Sequence, residues 1–141
     1  MTFASNLPDD LVRAYRETDY VVGRDGWILR IDEPSIELEA QHRRHGVTHS
    51  AFITAWNPFS QALSAAENAQ RHAALLAELT RDGRAWFEGV GIHPSNAWPG
   101  EESVLILGLD LESAKAMGSR LQQNAIVWSG PDAVPRLILL R

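Results

Sequence analysis

The stretch Ala51-Phe-Ile-Thr-Ala-Trp-Asn-Pro-Phe-Ser-Gln61 decides the fold. Its first six residues, up to Trp56, are apolar apart from Thr54. A strand that is apolar at successive positions has both faces covered, so Ala51 to Trp56 reads as a central strand. Asn57-Pro58 then stops it, because proline donates nothing to a ladder and restricts the residue before it. A helix follows within a few residues. Ser64-Ala-Ala-Glu67 is a capping box, and Ala65, Ala69, Ala73, Leu76 and Leu79 recur at helical spacing towards Asp82.

The neighbouring segments supply what such a strand needs. Upstream, Pro8 to Glu17 reads as a helix, with Asp9 and Asp10 at the positive end of its dipole. Tyr20 to Ile31 reads as a hairpin around Gly23-Arg-Asp-Gly26, and Trp27, Leu29 and Ile31 share one face of its second strand. Ser35 to His45 is a second helix, closed by Gly46. Downstream, Arg84 to Val90 is a strand, Ile92 to Glu102 a loop and Val104 to Leu109 another buried strand. Asp110 caps a helix striped by Leu111, Ala114, Gly118 and Leu121. Ala125 to Trp128 and Leu137 to Leu140 are strands around Ser-Gly-Pro-Asp-Ala-Val-Pro. The order is α-β-β-α-β-α-β-β-α-β-β. It implies an α/β protein, with α+β as the alternative: a single mixed β-sheet with flanking helices, residues 1–141 forming one globular domain.

Composition narrows the function classes. The 13 basic and 18 acidic residues give a net charge of −5, which disfavours nucleic acid as a partner. There is no cysteine, so disulfides, zinc fingers, iron–sulfur clusters and thiol nucleophiles are excluded. The opening Met-Thr-Phe-Ala-Ser-Asn-Leu-Pro-Asp-Asp lacks a basic and then apolar leader, and no apolar run approaches the ~20 residues of a membrane span. A cytoplasmic location and no membrane partner are the expectation.

The junction after the central strand is the first candidate site. Ligands in such sheets gather where strands end and helices begin, near free backbone N–H groups. Asn57, Ser60 and Gln61 offer side-chain hydrogen bonds there, and Trp56 offers a flat apolar wall. Leu63 before the Ser64 cap calls for an apolar staple partner at position 68, but the residue is Asn68, with Arg71 on the same face. The plain alternative is a turn, with Arg71 paired to Glu67 one turn earlier. Glu102, after Trp98-Pro-Gly-Glu101, is a candidate acid or base, set against a solvated turn. Gln123 and Asn124 could read donors and acceptors, or simply end a helix. His42, His45 and His49 have metal-ligand types, but cations at a helix C-terminus explain the cluster, and no metal or cofactor is expected. Gly89-Val-Gly91 lacks the third glycine of a dinucleotide fingerprint.

Four blocks, Ala51 to Gln61, Ala66 to Arg71, Trp98 to Ser103 and Gln122 to Trp128, make the chain resemble a bacterial family of uncharacterised proteins, the domain of unknown function three-two-nine-three. The resemblance runs from about Tyr15 to Leu140. It implies importance for Asn57, Pro58, Asn68, Glu102, Gln123 and Asn124, with Glu101 an additional glutamate; it implies no chemistry. The leading expectation is a cytoplasmic module that binds a small polar molecule through Trp56, Asn57, Ser60, Gln61, Asn68, Arg71, Trp98, Gln123 and Asn124. The alternatives are an enzyme with Glu102 as general acid/base, or a protein-interaction module, with a homo-oligomer left open.

Overall fold

A computed structural model of the chain describes residues 5–95 and 100–141. In chain order the strands are β1 (Asp19–Val22), β2 (Trp27–Leu29), β3 (Ser50–Thr54), β4 (Trp86–Ile92), β5 (Glu101–Leu107), β6 (Ala125–Ser129) and β7 (Arg136–Leu139). The helices are α1 (Asp9–Glu17), α2 (Ile36–His45), α3 (Ala65–Arg81) and α4 (Leu111–Arg120). The element order is the one the sequence implies, with one short 3₁₀ turn, Pro58–Ser60, added after β3.

All seven strands form one sheet of order β2-β1-β4-β5-β3-β6-β7. The segment Ala51 to Trp56 is therefore interior, flanked by β5 and β6, with Phe52 opposite both Leu105 and Val127. Every pairing is antiparallel, where a mixture of parallel and antiparallel pairs was expected. The apolar runs report two covered faces, and helices can cover both faces of an antiparallel sheet as well as a parallel one. On one face Ala51, Ile53, Val104, Ile106 and Ile126 pack with Leu75 and Leu79 of α3 and Ala114 and Met117 of α4. On the other, Tyr20, Val22, Phe52, Leu105 and Val127 pack with Leu38 of α2. Helix α1 lies over this second face, where the Tyr20 hydroxyl donates to the Tyr15 carbonyl at 2.6 Å.

The helix ends follow their caps. Ser35, Ser64 and Asp110 each accept a backbone N–H from three residues on. Gly46 closes α2 at φ 66, a left-handed conformation in which a Cβ is disfavoured. Several strand boundaries differ from expectation, and those of β3, β4 and β5 bear on the site. β3 ends at Thr54, two residues early, and β5 begins at Glu101, inside the expected loop. β4 runs on to Ile92, so Gly91 and Val90 offer Glu101 and Glu102 ladder partners despite their polar side chains. Among the described residues no helix is long and apolar enough to cross a membrane.

Candidate functional site

Beyond Thr54 the chain turns sharply. Trp56 N–H donates to Thr54 Oγ1 at 3.1 Å, and Asn57 then adopts a left-handed conformation at φ 44. Phe59 (φ 53) and Ser60 (φ 60) are left-handed too. Each such non-glycine residue costs on the order of 1 kcal/mol, so three in four positions require a framework that holds them.

The framework is built by residues the sequence singles out. Asn68, 2% exposed, accepts the Asn57 N–H at 2.9 Å and donates to Asn57 Oδ1 at 2.8 Å. Asn57 Oδ1 also accepts from the Leu63 N–H at 3.1 Å. Arg71 donates from Nε to the Ala55 carbonyl and from Nη2 to the Leu121 carbonyl, both at 2.6 Å, tying the end of β3 to the end of α4. Gln123 Nε2 donates to the Trp56 carbonyl at 3.0 Å, and the Phe59 N–H donates to the Gln122 carbonyl at 2.6 Å. Asn57, Asn68, Arg71 and Gln123 therefore converge at the junction as expected, but they hold backbone. The alternative reading, Arg71 paired to Glu67, is not what forms: Glu67 Oε1 accepts from the Ser64 hydroxyl, and Arg71 turns to the two carbonyls.

Inside this bend, on the α1 side of the sheet, lies a cavity of about 700 Å³. Tyr20, Phe52, Val127 and Leu137 give it apolar lining, and Trp56, Asn57, Asn68 and Gln123 border it from the junction. Trp56 Nε1 is buried and has no hydrogen-bond partner among the described residues. Ser60 also lines the cavity, and its hydroxyl meets Asn124 Nδ2 and the Tyr15 hydroxyl, each at 2.9 Å. Gln61 is exposed and outside the lining. Trp98 lies outside the described residues.

The carboxylate that enters the cavity is Glu101, not Glu102. Alternation along β5 puts Glu101, Ser103 and Leu105 on the cavity face and turns Glu102 to the α3 face. There Glu102 Oε2 lies 3.8 Å from Nε2 of the buried His72, with Glu88 Oε1 at 3.6 Å from the same nitrogen. Glu101 Oε2 accepts from Asn57 Nδ2 at 3.2 Å, and among the described residues no cation lies within ion-pair distance of it. Burial pushes the Glu101 carboxyl above the ordinary glutamate range, and the Asn57 hydrogen bond offsets this in part. Burial also drives the Tyr20 phenol far upwards, so it stays protonated at any physiological pH.

The histidines occupy structural contacts. His42 Nε2 and Ser50 Oγ are 2.8 Å apart within the core, and burial lowers the His42 pKa. His49 stacks on Trp128, and His45 meets Phe87 edge to face. Among the described residues no group of three or more ligating side chains could hold a metal ion.

A stability consequence follows from Glu101. Its folded-state pKa lies above its unfolded one, so the folded chain binds more protons between the two values. Stability therefore falls as pH rises through that window, and the loss persists at neutral pH. Glu101→Gln keeps an oxygen for Asn57 and removes the charge. It should be more stable than the parent at neutral pH and match it in acid below the ordinary glutamate pKa, measured by urea unfolding across pH. A parent that gains stability relative to Glu101→Gln as pH rises would contradict the burial of this carboxyl.

Reasoning from sequence missed Glu101, Tyr15, Tyr20 and His93 as cavity residues. The signal for Glu101 was present: extending the strand alternation back from Leu105 puts Ser103 and Glu101 on the face of Phe52. Nothing local marks Tyr15 or His93, which reach the cavity only through the placement of α1 and the end of β4.

Fold and site together define a helix-covered antiparallel sheet with a cavity under a strained strand-to-helix bend. The chain belongs to the family described as Protein of unknown function (DUF3293), which matches residues 53–126. That span is narrower than the resemblance from Tyr15 to Leu140, but it includes Asn57, Asn68, Arg71, Glu101, Gln123 and Asn124. No match was found among curated proteins or among solved structures.

Proposed function

We propose that the chain is a cytoplasmic ligand-binding module and that the cavity beneath the junction receives a small molecule. The carrying observation is the cavity itself: about 700 Å³, within the ~300–1,000 Å³ usual for small-molecule sites. Its lining revises the expected ligand from polar to mainly apolar with a polar head. Asn57 and Gln123 shape the rim, Trp56 supplies a wall and an N–H unpartnered among the described residues, and Glu101 is the internal charge. Asn68 and Arg71 belong to the framework, so substituting them tests stability more than recognition.

A fragment screen tests the reading. Ligands that fit should raise the melting temperature by binding the native state alone. They should also shift the Trp56 indole N–H resonance, and Ala125→Phe, which places a ring into the cavity, should weaken them at least about tenfold, roughly 1.4 kcal/mol. Hits indifferent to Ala125→Phe that leave the Trp56 resonance in place would remove this cavity from consideration. One observation favours an enzymatic second reading: a carboxyl held above its ordinary pKa inside a cavity is suited to general acid/base work. In that reading the group is Glu101, because Glu102 lies across the sheet.

A further inference from the structure

Resting on the cavity reading, we propose that the ligand is a small cationic amphiphile, a protonated amine or amidinium on an apolar body, with its positive head paired to Glu101. The case is electrostatic. A carboxylate taken into mainly apolar surroundings loses hydration that a neutral hydrogen bond recovers only in part. Among the described residues Glu101 has one such bond, from Asn57 Nδ2 at 3.2 Å to Oε2.

Among the described residues, the cations near the cavity are committed elsewhere. Arg71 points its guanidinium at the Ala55 and Leu121 carbonyls. His93, which also lines the cavity, has Nε2 at 3.1 Å from Glu17 Oε2. Arg141 stacks over Phe59 and donates to Asn124 Oδ1. The cavity thus presents a negative charge without a positive partner among the described residues, beside the apolar surfaces of Phe52, Val127 and Leu137. A ligand cation completes that pair with charge-assisted hydrogen bonds, about twice as strong as neutral ones. A ligand carboxylate or phosphate meets repulsion.

The test uses three probes that differ only in the head: phenylbutylamine, phenylbutanol and phenylbutanoate, titrated at neutral pH and followed through the Trp56 indole resonance. The amine should bind about tenfold or more tighter than the alcohol, and the carboxylate most weakly. Glu101→Gln should bring amine and alcohol to equal affinity, while Glu102→Gln, on the opposite face, should leave the ranking as it was. If the alcohol matches or exceeds the amine, the cationic ligand is wrong although the cavity still binds. If none of the three moves the Trp56 resonance, the cavity reading fails and takes this proposal with it. An amine preference that survives Glu101→Gln, or that disappears in Glu102→Gln, assigns the recognition to another group and overturns the proposal. The head-group ranking in the unmodified protein stands even if a variant fails to fold.

Discussion

Arg71→Ala should cost about 3 kcal/mol of unfolding free energy, a large share of a domain's usual margin. The side chain donates two short hydrogen bonds, to the Ala55 and Leu121 carbonyls at 2.6 Å each. Ala55 is fully buried, so its carbonyl has no water to turn to once the guanidinium is gone. A hydrogen bond to a charged group contributes about 1.5–3 kcal/mol, and a stranded buried acceptor adds a penalty. Arg71→Lys keeps the charge but not the fork, so it should lose about half as much. Arg120→Ala is the control. Its ion pair with Glu78 is equally short, 2.6 Å, but Arg120 is 53% exposed. Solvent screening limits that loss to about 1 kcal/mol or less. Urea unfolding of the three variants checks the order, and an Arg71→Ala loss no larger than that of Arg120→Ala would refute the framework role.

This framework explains which parts of the site were legible. Asn57, Asn68, Arg71 and Gln123 stand out in the sequence because each is a polar residue where local rules call for something else. Asn68 occupies a staple position, and Gln123 follows a helix stop. Such departures signal a special environment without saying which kind. Here it is a left-handed bend whose backbone groups need partners, a long-range requirement that residues 57–60 do not reveal. The fold was more legible because its determinants are local: a capping box, an Asp-Gly turn, two apolar runs and a C-terminal glycine. Strand direction was legible at the hairpins, β1–β2 and β6–β7, but not in the interior of the sheet. Apolar runs in β3 and β5 record burial on both faces, whereas β3 pairs antiparallel with β5 and β6 through partners 49 to 79 residues away in sequence, from Thr54–Ser103 to Ser50–Ser129.

Glu101 and Glu102 show how a small boundary error changes which residue is the candidate. Treating Ile92 to Glu102 as a loop leaves the two glutamates equivalent, and the resemblance then favours Glu102. Once β5 begins at Glu101, the two-residue period separates them onto opposite faces. One carboxyl becomes a cavity group and the other a neighbour of His72. No change of composition marks the difference.

Gly89→Ala should also cost about 3 kcal/mol, for a reason confined to the sheet. A Cβ at Gly89 would sit 2.6 Å from the Val21 carbonyl oxygen and 2.8 Å from Cε2 of Phe52. The first contact is with backbone in the β1–β4 ladder, where Val21 pairs with Val90 beside Gly89, so the strands themselves must separate. The second is with a ring that packs edge to face on Tyr20 and lines the cavity. Neither neighbour is the free end of a flexible side chain, so relief requires moving packed structure. Gly91, two residues on along the same strand and the same face, provides the comparison. Among the described residues its Cβ would meet nothing nearer than Thr18 Cγ2 at 3.6 Å, ordinary contact. Gly91→Ala should therefore stay within about 0.5 kcal/mol of the parent. The pair separates close packing from the general effect of removing a strand glycine, which would apply to both alike. It also bears on function, because displacing Phe52 alters the cavity lining. Gly89→Ala should weaken any cavity ligand in addition to lowering stability, measured by urea unfolding together with titration of the same probe. Equal losses at the two glycines would show that chain flexibility, and not the Val21 and Phe52 contacts, sets the cost.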